Sequence, residues 1–121
     1  MSKFFDYEVF FMVKIIVIED DVLFNRCLKR EFSMFKILTF SNKEEFFNSS
    51  IEDIQEADYF LLDFNVGKDF NVINSKIYSE IMNKKNKDSI LISISDDRNC
   101  LQAYTDLYSG KNIDFLKFII S

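Results

Sequence analysis

Residues Tyr59 to Gly67 read YFLLDFNVG, a short apolar run that ends on a carboxylate, Asp63. The run is too short and too evenly apolar for a surface helix, so it reads as a strand buried on both faces with a charge at its C-terminal tip. Residues Val13 to Ile18 form a second such run, dominated by β-branched side chains, and it is followed by Glu19, Asp20 and Asp21. The period then changes. From Val22 to Met34 the apolar residues Leu23, Phe24, Cys27, Leu28 and Phe32 recur at helical spacing, with Asn25, Arg26, Lys29 and Arg30 on the other side.

The same alternation continues along the chain. KILTF, Lys36 to Phe40, reads as a strand, and SNKE from Ser41 to Glu44 has the form of a capping box opening a short helix through Phe46 and Phe47. After the strand that ends at Asp63, Val72, Ile73, Ile77 and Ile81 mark a helix that runs into the basic turn NKKNK. SILISIS, Ser89 to Ser95, is the next strand. Cys100, Leu101, Tyr104, Leu107 and Tyr108 fit a fourth helix closed by Gly110 as a left-handed cap, and IDFLKF, Ile113 to Phe118, reads as a fifth strand. Strands alternating with helices predict an α/β fold, a parallel sheet with helices on both faces. Open sheets of this kind bind ligands beyond the carboxyl ends of their strands. Asp63 stands at such an end.

Composition narrows the function. The chain has 121 residues, 48% hydrophobic and 17% aromatic, enough for one domain with a real core. Lys and Arg number 15 against 20 Asp and Glu, a formal charge of -5, which argues against nucleic-acid binding because phosphate neutralisation needs a basic surface. Cys27 and Cys100 lie in apolar helical patterns without metal-ligand spacing and read as reduced core thiols. VFFMVKIIVI, Val9 to Ile18, falls short of the roughly 20 residues of a membrane span. With Asp6 and Glu8 before it, it does not have the form of a signal peptide either, and a cytoplasmic protein is expected.

The residues at the strand ends are Glu19, Asp20, Asp63, Ser95 and Lys117. Taken singly each has an ordinary reading: an acid or serine after a strand caps the next helix, and a lysine near a C-terminus is surface charge. As an ordered set they resemble the receiver domain of two-component response regulators, from Val13 to Lys117. IIVIEDD is similar to that family's first strand and acidic pair, FLLDFNVG to its phosphoacceptor strand, and ILISIS to its fourth strand, with Ser95 in the Ser/Thr position and Ser93 the less favoured register. Gly110 and Lys117 keep the family's glycine-to-lysine distance, and Asn71 stands where the family usually has a glycine.

The resemblance implies a flavodoxin-like doubly wound sheet of five parallel strands in the order 2-1-3-4-5. It implies Mg²⁺ held by Glu19, Asp20, Asp63 and the backbone carbonyl of Asn65, a phosphoryl group accepted by Asp63, and Ser95 and Lys117 beside it. The implied partners are a sensor histidine kinase or phosphotransfer protein and a downstream protein; such a domain signals and is not an enzyme in the ordinary sense. The sequence departs from the pattern in several places. Asp96 follows Ser95 where a small residue is usual, Phe118 follows Lys117 in place of a proline, and Asp114 stands three residues before that lysine, where the family often carries a switching aromatic. With Lys117 as the site lysine, the family's last helix is expected to be missing.

Residues 1–12 then read as an apolar extension to a receiver-like domain of residues 13–121. Phe4, Phe5, Val9, Phe10 and Phe11 are more apolar than a solvated tail. They are expected to cover the face left by the absent helix or to pair two subunits as a homodimer, unless Met12 is the true start. Two other functions fit parts of the pattern. One is a degenerate receiver that acts through its surfaces without phosphorylation. The other is a haloacid-dehalogenase-like phosphatase, for which DFNV misses the second carboxylate of the nucleophile motif.

Overall fold

The computed structural model describes residues 12–66, 70–72, 76–95 and 104–120. Strands β1 (Lys14–Ile18), β2 (Lys36–Phe40), β3 (Tyr59–Leu62), β4 (Ile90–Ser93) and β5 (Leu107–Tyr108) form one parallel sheet in the order β2-β1-β3-β4-β5. Helices α1 (Val22–Glu31), α2 (Lys43–Phe47), α3 (Ile51–Glu56), α4 (Ile77–Lys84) and α5 (Ile113–Ile120) pack around it. This is the expected doubly wound, flavodoxin-like architecture.

Alternation along the strands divides the core in two, because successive side chains leave a strand on opposite faces. Ile16, Ile18, Phe60, Leu62 and Leu91 face one side and pack with Phe46, Ile54, Ile77 and Ile81 from α2, α3 and α4. Ile15, Val17, Leu61, Ile92 and Ile94 face the other, against Phe24, Leu28 and Phe32 of the α1 region and Leu116 and Ile120 of α5. Every residue of β1 is buried, as the unbroken apolar run requires. The exception in type is Lys14, whose side chain is only 5% exposed. Its ammonium meets Asp53 Oδ1 at 2.7 Å and Glu56 Oε2 at 3.3 Å, both on α3.

The chain departs from the sequence reading mainly in its last quarter. IDFLKF is not a strand: Ile113–Ile120 is helix α5, so the last helix is present. Asn112 caps it, Oδ1 accepting the Phe115 amide at 3.0 Å, and Leu116 and Ile120, four residues apart, enter the core. Phe115 and Phe118, which lend the segment its strand-like look, lie outside at 42% and 77% exposure. The fifth strand is the two-residue β5, inside the segment expected to be the fourth helix; residues 96–103 of that segment, with Asp96 and Cys100, lie outside the described residues. Gly110 does adopt a left-handed backbone, φ +64°, but in the turn after β5 rather than at a helix end.

Smaller differences concern the loops. The box that opens α2 is shifted by one residue, with Asn42 as the cap accepting from the Glu45 amide at 2.9 Å and Glu45 reaching back to the Ser41 amide at 3.0 Å. The chain between β3 and α4 folds into a small antiparallel hairpin, Asn65–Val66 against Phe70–Asn71, so Asn71 is a strand residue. The helix expected from Val72 begins at Ile77. Residues 1–11, the expected extension, lie outside the described residues.

The Lys14 ammonium holds the Asp53 carboxyl below its ordinary value of 3.8. The stabilisation from this pair is therefore complete above that value and is lost as pH falls through the lower folded-state pKa. Asp53→Asn should cost about 1 kcal/mol at neutral pH, because the Lys14 ammonium is buried but Asp53 is part exposed and Glu56 remains as a partner. Chemical denaturation from neutral pH to acid should show the variant and wild type converging at the acid end.

Candidate functional site

The carboxyl ends of β1, β3, β4 and β5 lie side by side, and backbone hydrogen bonds fix the residues that follow them. The Glu19 amide donates to Phe40 O at 3.1 Å, the Asp63 amide to Ile18 O at 3.0 Å, and the Ile94 amide to Leu62 O at 2.9 Å. The amides of Ser109 and Gly110 both donate to Ser93 O, at 2.9 and 3.2 Å, which ties the turn after β5 to the end of β4. Lys111 leaves that turn and reaches back across the sheet.

Its ammonium lies 3.1 Å from Glu19 Oε2, 3.7 Å from Asp21 Oδ2 and 3.9 Å from Asp63 Oδ2. The lysine stem runs by the ring of Phe24, with Nζ 5.8 Å from its centroid. Glu19 is wholly buried, its Oε1 accepting the Asp21 amide at 3.0 Å. Asp21 divides its carboxylate between this cleft and the first turn of α1, where Oδ1 accepts the Phe24 amide at 3.1 Å. The three consecutive acids thus have different tasks. Glu19 is buried, Asp20 is exposed beside the cleft, and Asp21 is the helix cap.

Carboxylate oxygens of Glu19, Asp20 and Asp63 all lie within 4.8 Å of one another. Such crowding disfavours full ionisation. Burial, and then the hydrogen bond and charge of Asp63, push Glu19 up from 4.5 to about 8, a rise that the Asp21 amide and Lys111 only partly offset. For Lys111 burial pulls downward, but Glu19, Asp63 and Asp21 together outweigh it and raise the ammonium above 10.5. Among the described residues, one cation among this many acids leaves the cleft electron-rich, and Glu19 Oε2 is fully buried without a regular hydrogen bond. The donor set is all hard oxygen, which suits a small divalent cation.

The sequence-derived residues fall into three groups. Glu19, Asp20 and Asp63 are brought together. Ser93 and Ser95 are both buried at the end of β4, the Ser95 amide 3.4 Å from Ser93 Oγ, and Asn65 lies in the hairpin just after Asp63. Lys117 is elsewhere: it sits on α5, about half exposed, and pairs with Glu31 Oε2 of α1 at 3.0 Å. Sequence reasoning missed Lys111, because the seven-residue spacing from Gly110 matched Lys117. The available signal was the run SGKN, in which a left-handed glycine and a helix-capping asparagine bracket the lysine.

No family model matches the chain, and no curated protein matches it. Solved structures do match. A response regulator receiver domain from Methylobacillus flagellatus superposes with a TM-score of 0.69 at 17% identity, over 90% of this chain and 96% of that one. A response regulator of Thermotoga maritima in complex with Mg²⁺ and BeF gives 0.65 at 24% identity, over 90% and 96%. A structure named as adenylate cyclase from Rhodopirellula baltica gives 0.68 at 14% identity, over 90% and 84%. The chain has the fold of response regulator receiver domains. Among the described residues, no helix is long and apolar enough to cross a membrane.

Two outcomes are expected. Gly110→Ala places a side chain on a left-handed backbone, with its Cβ 3.4 Å from Tyr108 Oη. It should cost about 1–2 kcal/mol, read as a drop in melting temperature of roughly 4–8 °C. Asp63→Asn should instead melt higher than wild type in metal-free buffer, because it removes the charge that opposes ionisation of Glu19.

Proposed function

We propose that this chain is the receiver domain of a two-component phosphorelay, accepting a phosphoryl group on Asp63. The observation that carries this reading is the convergence of Lys111 on the acids that follow β1 and β3, one ammonium within 4 Å of Glu19, Asp21 and Asp63. Asp63 is 13% exposed, open enough to meet a donor and sheltered enough for its neighbours to act on it. A carboxylate oxygen of Asp63 attacks the phosphorus of a phosphohistidine or a small acyl phosphate. The new O–P bond forms as the P–N or P–O bond to the leaving group breaks. Lys111 neutralises charge on the transferring oxygens, the role expected of Lys117 from sequence.

Glu19, Asp20, Asp63 and the Asn65 carbonyl would hold Mg²⁺, which supplies further charge neutralisation at the phosphoryl oxygens. The product adds roughly two negative charges where Lys111 and Ser95 can respond. With Lys111 as the site lysine, the residue three before it is Tyr108, in the place of the family's switching aromatic. Tyr108 pairs with Ser93 in the sheet, and its hydroxyl lies close above Gly110. A shift at the serines therefore has an adjacent ring through which to reach the surface of β5 and α5. Asn112 stands where the family has a proline after the lysine, and it caps α5 instead.

The partners on this reading are a sensor histidine kinase or phosphotransfer protein, and a downstream protein or second copy. Phe115 and Phe118, stacked with centroids 6.4 Å apart and exposed on α5, favour such a contact. They also suit the second reading, an interaction module that needs no phosphorylation. Intact mass after incubation with acetyl phosphate and Mg²⁺ separates the two. The wild type should gain one phosphoryl group, Asp63→Asn none, Lys111→Ala should label about a hundredfold more slowly, and Lys117→Ala should match wild type. An unlabelled wild type would leave the interaction module, and equal loss in the two lysine variants would remove Lys111 from its role.

A further inference from the structure

We propose that the corner between α4, β4 and β5 is a binding site for a small aromatic carboxylate, separate from the acidic cleft. A cleft of about 250 Å³ opens there, between the end of α4, the start of β4 and the chain entering β5. Met82 and Leu91 supply apolar wall, and the rings of Tyr78 and Tyr104 meet edge to face beside them, centroids 5.3 Å apart. The cleft is open to solvent and lined mainly by polar groups, with room for one ring bearing a short polar substituent.

The charges select that substituent. Lys85 and Lys87 both line the cleft, and among the described residues neither is ion-paired with a carboxylate; the Lys85 ammonium meets the Asn86 carbonyl at 3.2 Å. Among the described residues, Asp106 is the one lining carboxylate, and its Oδ2 is engaged by the Leu91 amide at 2.8 Å. Counted over those residues, two ammonium groups against one carboxylate leave a single positive charge, which fits a monoanion better than a dianion. Burial, and then the charge of Asp106 and the neighbouring Tyr104, raise Tyr78 above 10.0, so its hydroxyl remains a hydrogen-bond donor at neutral pH. Ring, donor and cations lie in one cleft, the arrangement by which pockets combine apolar burial with a few orienting polar groups.

The site lies toward the amino ends of the strands, where β4 begins, whereas the acidic cleft lies beyond their carboxyl ends. The ring of Tyr104 also lies 6.2 Å from that of Phe64, next to Asp63, so the test is made on the unphosphorylated chain. The test is an NMR titration of the full chain with benzoate, benzyl alcohol and inorganic phosphate in parallel. Benzoate should give saturable shifts centred on Tyr78, Met82, Leu91 and Tyr104, in the low-millimolar range or tighter. Benzyl alcohol, which lacks the charge, and phosphate, which lacks the ring, should each bind at least fivefold more weakly. The double variant Lys85→Ala, Lys87→Ala should weaken benzoate about tenfold and leave benzyl alcohol unchanged. The proposal is overturned if benzoate does not saturate, if phosphate binds as tightly as benzoate, or if the double variant binds benzoate like wild type.

Discussion

A carboxylate with no solvent exposure must be compensated, and the compensation of Glu19 organises this molecule. Its carboxyl group is met by Lys111, which comes from the other side of the sheet and can reach it only if β3 and β4 lie between in register. The two amides that bind Ser93 O set the turn from which the lysine departs, and Gly110 gives that turn its left-handed step. The ion pair is a poor source of net stability, since desolvation of both groups offsets most of the attraction. Its effect is on position. It holds the end of the sheet in the one arrangement that crowds Glu19, Asp20 and Asp63 together.

That crowding also explains why a receiver-like fold tolerates an unfavourable cluster. An acid pushed to about pH 8 by burial and by a like-charged neighbour is a group at odds with its surroundings. Sites that bind cations or transfer charged groups are built from such arrangements, because what destabilises the unliganded protein is relieved on binding. Here the strain is electrostatic and local. Among the described residues, the two apolar layers on either side of the sheet contain no comparable crowding of like charges.

How much of this was legible in the sequence depended on the length of each pattern. The runs in β1, β3 and β4 are long enough to exclude a surface helix, so their acids and serines could be placed at strand ends. The order of the sheet came from the family likeness rather than from any pattern in the residues. β5 contributes two residues, too few for any period, and the segment before it has aromatic residues at helical spacing. α5 is so rich in apolar residues that its exposed Phe115 and Phe118 imitate alternation, while the true signal, Leu116 and Ile120 behind an Asn112 cap, spans little more than a turn. Those two errors placed Lys117, rather than Lys111, beside the acids. The acidic half of the cleft was readable because each member ends an apolar run, whereas its basic half sits in a turn and is defined only by tertiary contact.

Strand β1 carries an ammonium at one end and a carboxyl group at the other. Lys14 opens it, buried against Asp53 and Glu56, and Glu19 follows its last residue, buried against Lys111. Between them lie only apolar side chains, which would fit either neighbour almost equally well in several alignments. A slip of one residue would turn every side chain to the wrong layer, and a slip of two would restore the layers yet strand both groups away from their counterparts. Strand β1 is thus indexed at both ends, like a rod keyed to its sockets, and the alignment of every other strand in the sheet inherits that index.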